Sequence, residues 1–232
     1  MLHQSRLADN LALVRDSIQQ AARRADRDPN SITLVAVTKY VPGEVVLSLH
    51  EMGVRDFGES RPQVLWEKAP ALPADIRWHL IGHWQTNKVR RTLPYISLVH
   101  SLDRISLAEE LSRESQRLGK VTPVLIEVKI VADEAKHGFL PDDLMSALAT
   151  IRELPGIQIN GFMTMASQGD DAESARPVFR KLCEYRNQQQ VSLGVPLPML
   201  SMGMSQDFAV AIEEGATHVR VGSTLFEGVV DA

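Results

Sequence analysis

Ser31-Ile32-Thr33-Leu34-Val35-Ala36-Val37-Thr38-Lys39-Tyr40 is the stretch on which the fold turns. Its β-branched, uncharged run ends abruptly in a lysine and a tyrosine. That is the pattern of a strand covered on both faces, as in a parallel sheet. Pro42-Gly43 punctuates the chain, Glu44 to Met52 follows helical spacing until Gly53 stops it, and Val54-Arg55-Asp56-Phe57 reads as a second strand leading to Gly58-Glu59. A strand, a helix and another strand in so few residues set an alternating order.

The order persists downstream. Helical Pro62 to Lys68 precedes strand-like Ile76 to Ile81, and helical Thr86 to Leu93 precedes strand-like Ser97 to His100. Asp103 reads as the N-cap of a helix through Leu118, Gly119 stops it, and Val124 to Ile130 is the next strand. A helix from Pro141, a strand at Ile157 to Met163 and a long helix at Ala172 to Ser192 follow. Pro198 to Ser201, helical Gln206 to Glu214, strand-like Thr217 to Val221 and a short helix from Thr224 complete the series. Upstream, Leu7, Leu11, Val14, Ile18 and Ala22 mark an amphipathic helix within residues 1–28 that belongs to no strand–helix unit and is expected to pack on the barrel. The rest, about 25 residues per unit, suits a single (β/α)₈ TIM-type barrel over 1–232 with an extra N-terminal helix. An open doubly wound sheet is the alternative, but no GxGxxG follows the first strand.

Composition narrows the function classes. With 44% hydrophobic and 23% charged residues, the chain is neither disordered nor coiled coil. A net charge of −4, from 25 basic and 29 acidic residues, supplies no general field for nucleic acid or an anionic membrane. One cysteine, Cys183, allows no internal disulfide, and the polar N-terminus lacks a signal-peptide core, so a cytoplasmic location is expected. The apolar runs are too short to span a bilayer.

In a barrel the site lies where strands meet the loops that follow them. Lys39 stands at such a junction. A desolvated lysine is pushed toward its neutral amine, which can attack an aldehyde to form an imine; the alternative is a packed stem with its head in water. The turns Ser201-Met202-Gly203-Met204-Ser205 and Gly222-Ser223-Thr224 present hydroxyls and backbone N–H groups at helix starts, the means by which phosphate is held without a lysine. Arg220, always protonated, could donate to an aromatic ring nitrogen. Closure would make the first and eighth strands neighbours. Lysine, phosphate turn and ring-nitrogen partner then form the set expected for pyridoxal 5'-phosphate, with Lys39, Ser201, Met204, Ser205, Arg220, Gly222 and Ser223 as binding residues.

The motifs Ala36-Val37-Thr38-Lys39, Phe57-Gly58-Glu59, Trp78-His79-Leu80-Ile81-Gly82 with Gln85-Thr86-Asn87-Lys88, Lys136-His137-Gly138-Phe139, Gly161-Phe162-Met163-Thr164-Met165, Ser201 to Ser205 and Val219-Arg220-Val221-Gly222 resemble the pyridoxal phosphate homeostasis proteins, in order and over nearly the whole chain. The resemblance implies a barrel like the N-terminal one of alanine racemase, the cofactor on Lys39, phosphate contacts from Ser205, Gly222 and Ser223, and Arg220 near the pyridine nitrogen. It implies a carrier that hands the cofactor to apoenzymes, as a monomer or weak dimer, without an established turnover reaction.

The chain departs from the family at Ser60, where asparagine is usual, at Lys129, again for asparagine, and at Trp84, for leucine. Glu127 and Lys129 share a strand face, and an ion pair between them inside the barrel is expected. Trp84 reads as altered packing. His79 and His83 lie on a strand and a turn, not on one helix face, so no zinc pair is expected. Met163 and Met165 are expected to fill the barrel interior. The alternative function is a racemase or related amino-acid enzyme, which needs an acid or base opposite the lysine. Tyr40 is expected to point away from Lys39, and no second domain is expected after the eighth unit; both favour the carrier.

Overall fold

Eight parallel strands follow one another around a closed barrel in sequence order. The computed structural model describes residues 2–130, 137–166 and 171–229. Along the chain these form α1 (Leu2–Arg24), β1 (Thr33–Val37), α2 (Gly43–Glu51), β2 (Asp56–Glu59), α3 (Pro62–Lys68), β3 (Arg77–Leu80), α4 (Val89–Thr92), β4 (Ile96–Leu102), α5 (Ile105–Arg117), β5 (Thr122–Glu127), α6 (Leu144–Ile151), β6 (Ile157–Met163), α7 (Arg176–Leu193), β7 (Met199–Ser201), α8 (Phe208–Glu213), β8 (His218–Val221) and α9 (Ser223–Phe226). Lys136 of the quoted Lys136-His137-Gly138-Phe139 motif lies outside the described residues.

Closure is made by β1 against β8, with Thr33 opposite His218, Val35 opposite Arg220 and Ala36 opposite Val221. The open-sheet alternative is thereby removed. The two-residue period of each strand divides its side chains between two layers. Ala36, Phe57, Leu80, Val99, Val219 and Val221 join the large cluster between sheet and helices. Leu98, Leu125 and Met163 form a small cluster of their own, against which Met165 and Met199 pack. The two methionines thus sit as expected. His79, His100, Ser201, His218 and Arg220 are buried as well, so polar groups fill much of what aliphatic layers usually occupy.

The amphipathic stripe of α1 is buried, Leu7, Leu11, Val14 and Ile18 included, each such side chain contributing about 1.5–3 kcal/mol. The helix is tied to the far end of the chain. Asn10 Nδ2 donates to the carbonyls of Leu225 (3.1 Å) and Glu227 (2.9 Å), and Arg24 Nε meets Glu213 at 2.7 Å.

Several elements differ from the reading of the sequence. The stretch from Thr86 is a short α4 flanked by 3₁₀ turns, because Pro94 has no N–H to continue an α-helix. Asp103 does not cap α5; Arg104 stands at the N-cap without a side-chain bond, and Asp103 instead accepts from His83 (2.7 Å) and Arg104 (2.6 Å). β5 stops at Glu127, where the chain turns to pair with Phe139, whose N–H donates to the Glu127 carbonyl at 2.8 Å. Lys129 therefore lies beyond the strand. It makes no ion pair with Glu127, and the expected internal pair is corrected accordingly.

Candidate functional site

The end of β1 is anchored before Lys39 is reached. Thr38 is fully buried, and its hydroxyl donates to Glu59 Oε1 at 3.0 Å. Lys68 Nζ, from α3, donates to the same oxygen (2.6 Å) and to the Thr38 carbonyl (2.7 Å). The Lys39 carbonyl accepts from Arg61. Lys68 therefore takes the local carboxylate, and the half-buried Lys39 ammonium has neither hydrogen bond nor ion pair among the described residues. Residues 39 and 40 turn instead of extending. The Tyr40 ring consequently lies 5.1 Å from Lys39 Nζ and does not point away as expected. The Thr38–Glu59–Lys68 clamp was not singled out in the sequence; an acid at a strand end followed by a lysine on the next helix is its only trace.

Across the β1–β8 seam stands the second part. Ser205 Oγ accepts from the backbone N–H groups of Gly222 (3.1 Å) and Thr224 (3.4 Å), so the loops after β7 and β8 are tied together. A Cβ on Gly222 would stand 3.3 Å from the Val37 Cβ, a tight contact that glycine avoids as this turn approaches the strand that leads to Lys39. Gly203, at φ +89°, turns the preceding loop where a Cβ would meet Phe208 Cα at 2.8 Å. Ser205 and Gly222 are half-buried and Ser223 is exposed, so the turn borders solvent, with the Gly222 and Thr224 N–H groups held by Ser205. The Met204 N–H is already given to Asp207 Oδ1 at 2.6 Å. The Ser205 hydroxyl proton and the backbone N–H of Ser223, with no lysine among them, suit a phosphate ester.

Arg220 is buried behind that opening, donating from one terminal nitrogen to Ser201 Oγ (2.5 Å) and from the other to the Thr164 carbonyl (3.0 Å). Burial lowers it to about 10, against the opposing pull of Glu127 and Asp207, so it stays protonated at neutral pH. Ser201 is wholly buried and lies behind Arg220, bonded also to His100 at 2.7 Å. Glu127, buried at the end of β5, is pushed up to about 7 by burial and by Asp103, with Arg220 opposing. Its position across the barrel from β1 puts an acid opposite the lysine side, a role the sequence reading gave to no residue.

Trp84 is fully buried, in keeping with a packing role, and Ser60 is half-buried beside Gly82. His83, Asp103 and His137 bring their ligand atoms within 4.8 Å of one another. The two imidazoles stack at 3.9 Å between centroids, which sends their in-plane lone pairs side by side, and Asp103 is already engaged by His83 and Arg104.

A closed eight-stranded barrel with a lysine after β1 that makes no hydrogen bond or ion pair among the described residues, a glycine–serine turn after β8 and a buried arginine at the end of β8 has the make-up of a pyridoxal-phosphate-type barrel. Residues 9–229 match the family model described as alanine racemase, N-terminal domain. The pyridoxal phosphate homeostasis protein of Aquifex aeolicus is 42% identical over 94% of this chain and 96% of its own, and that of Homo sapiens 35% identical over 93% and 84%. PipY of Synechococcus elongatus, solved with pyridoxal phosphate bound, is 33% identical, covers 95% of this chain and 99% of its own, and superposes with a TM-score of 0.83. An alanine racemase from Clostridium difficile, 14% identical with a TM-score of 0.71 over 57% of its length, shares the fold. The chain belongs to the pyridoxal phosphate homeostasis protein family. No helix among the described residues is long and apolar enough to cross a membrane.

Proposed function

We propose that this protein binds pyridoxal 5'-phosphate at the C-terminal mouth of the barrel and serves the cytoplasmic homeostasis of that cofactor, passing it to apoenzymes as a monomer or weak dimer. When bound, the cofactor supplies an aldehyde that joins reversibly to a neutral amine. Lys39 supplies the amine. Ser205, Gly222 and Ser223 hold the phosphate, and Arg220 donates toward the ring nitrogen. A permanently protonated donor there keeps that nitrogen unprotonated and the ring a weak electron sink, which suits holding over turnover. One observation carries the reading: Lys68, and not Lys39, neutralises Glu59, leaving Lys39 with no hydrogen bond or ion pair among the described residues, beside the glycine turn after β8. The names of the relatives support the homeostasis role.

Glu127, a buried acid that exchanges a proton near neutrality, favours a second reading as a weak amino-acid enzyme. Absorbance before and after borohydride decides the binding claim. Lys39→Ala loses the visible band and the reduced adduct, and wild-type adduct maps to the Lys39 peptide; an undiminished band moves the attachment to Lys129. Interconversion of D- and L-alanine faster than about 1 per second, an ordinary enzyme rate, establishes the second reading.

A further inference from the structure

We propose that Asp56, at the N-terminal face of the barrel, is a positioning residue for the cofactor site, acting through the chain Asp56–His79–His100–Ser201–Arg220, whose hydrogen bonds all run in one direction. The inference rests on the placement of Arg220 proposed above.

The links are continuous and buried. Asp56 Oδ1 meets His79 Nε2 at 3.0 Å, His79 Nδ1 meets His100 Nε2 at 2.8 Å, His100 Nδ1 meets Ser201 Oγ at 2.7 Å, and Ser201 Oγ meets Arg220 at 2.5 Å. His79, His100, Ser201 and Arg220 are all buried. Asp56 opens β2 and Ser201 closes β7, so the chain passes through the barrel interior from one face toward the other.

The two ends determine every proton between them. Arg220 can only donate. Asp56 is held ionised, well below its ordinary range; burial works against this, but hydrogen bonds from His79 and Arg77 outweigh it, so it can only accept. Arg77 grips both its oxygens, Nε to Oδ1 at 2.8 Å and Nη2 to Oδ2 at 2.5 Å. The carboxylate is thus already matched, and a second cation on buried His79 would stand uncompensated. A neutral His79 gives its one proton from Nε2 to Asp56 and keeps Nδ1 as acceptor. His100, whose pKa burial and then the nearby Arg220 cation hold well below its ordinary value, is neutral and must then donate from Nε2 to His79 and accept at Nδ1. The proton it accepts is that of the Ser201 hydroxyl, whose oxygen is left to receive Arg220. His218 packs on both rings, 6.2 Å from His79 and 5.9 Å from His100 between centroids, and walls the pair in.

The consequence falls on the arginine. With Ser201 presenting a lone pair and the Thr164 carbonyl a second acceptor, the guanidinium is held at both terminal nitrogens. Were His100 to carry its proton on Nδ1, both lone pairs of the Ser201 oxygen would be taken by His100 and Arg220 and the hydroxyl proton would lose its acceptor on the chain. Removing the acceptor at Asp56 releases this order at a distance from the cofactor.

Nitrogen-15-histidine NMR on the full chain tests the proton order without cofactor: His79 and His100 both carry their single proton on Nε2, and a proton on Nδ1 of either ring, or a doubly protonated ring, overturns the proposal. Titration with pyridoxal phosphate tests the consequence. Asp56→Ala weakens binding about tenfold, the cost of losing one charge-assisted contact, and moves the absorbance maximum of the bound cofactor. Asp56→Asn keeps an acceptor oxygen and stays within about twofold of wild type, and Val54→Ala, buried at the same face but off the chain, changes neither readout. If Asp56→Ala matches wild type while Arg220→Ala alters both readouts, the proposal fails and the site reading stands; if Arg220→Ala alters neither, both fail. Should Asp56→Ala not fold, the NMR result on the wild-type chain still decides the proton order.

Discussion

Replacing Glu127 with glutamine should remove a large part of the protein's pH dependence of stability. Glu127 is 4% exposed at the end of β5, and burial, with Asp103 adding to it against Arg220, pushes its carboxyl from an ordinary 4.5 to about 7. A proton is therefore held more tightly in the folded chain than in the unfolded one. The stability this group contributes is fully present below pH 4.5 and is lost as pH rises through 7. At about 1.4 kcal/mol for each tenfold difference in proton affinity, the whole loss is about 3 kcal/mol, of which about 2 kcal/mol falls between pH 5.5 and 8. Glutamine keeps the shape and cannot titrate. Urea unfolding of the cofactor-free chain, followed by the fluorescence of buried Trp78 and Trp84, should show Glu127→Gln gaining about 2 kcal/mol relative to wild type on passing from pH 5.5 to 8. Parallel pH profiles for the two proteins would refute the raised proton affinity of this buried carboxyl.

The opposite limb belongs to His218, which burial lowers to about 4. Its unfolded form takes up a proton below about 6.5, the folded form resists, and stability falls by about 3 kcal/mol as pH drops through 4; His218→Gln should flatten that acid decline in the same urea assay. Because His218 and Glu127 act with opposite sign between pH 5 and 6.5, the single variants show slopes that the wild type largely conceals. Lys68→Met strands the fully buried Glu59 carboxylate, whose second oxygen already lacks a partner, and should cost about 3–5 kcal/mol; adding Glu59→Gln should recover most of it, and an unchanged melting curve for Lys68→Met would show that the clamp on β1 contributes nothing. Pyridoxal without its phosphate should bind far more weakly than pyridoxal phosphate, since the Ser205–Gly222 turn would have no anion to hold; equal affinities by absorbance titration would remove that turn from the site.

Local pattern determined the elements of this protein and their order. The β-branched run from Ile32 to Val37, the glycine stops at Gly53 and Gly119 and the apolar stripe of α1 act within a turn or two of chain, and each produced the element read from it. The same locality made Lys39, Arg220 and the Gly222 turn visible, because each sits where an apolar run ends. What residues far apart in the chain do to one another was not visible. Lys68 reaching Glu59, Glu127 left without the Lys129 partner expected of it, and Tyr40 folded under Lys39 depend on where strands stop and loops turn. Asp103 illustrates the reason: as a single letter before a helix it is a good cap, but His83 and Arg104 compete for its oxygens and win. Closure of the barrel set which side chains share the interior, and so joined Asp56 to Arg220 through residues from β3, β4 and β7 that no spacing in the sequence relates.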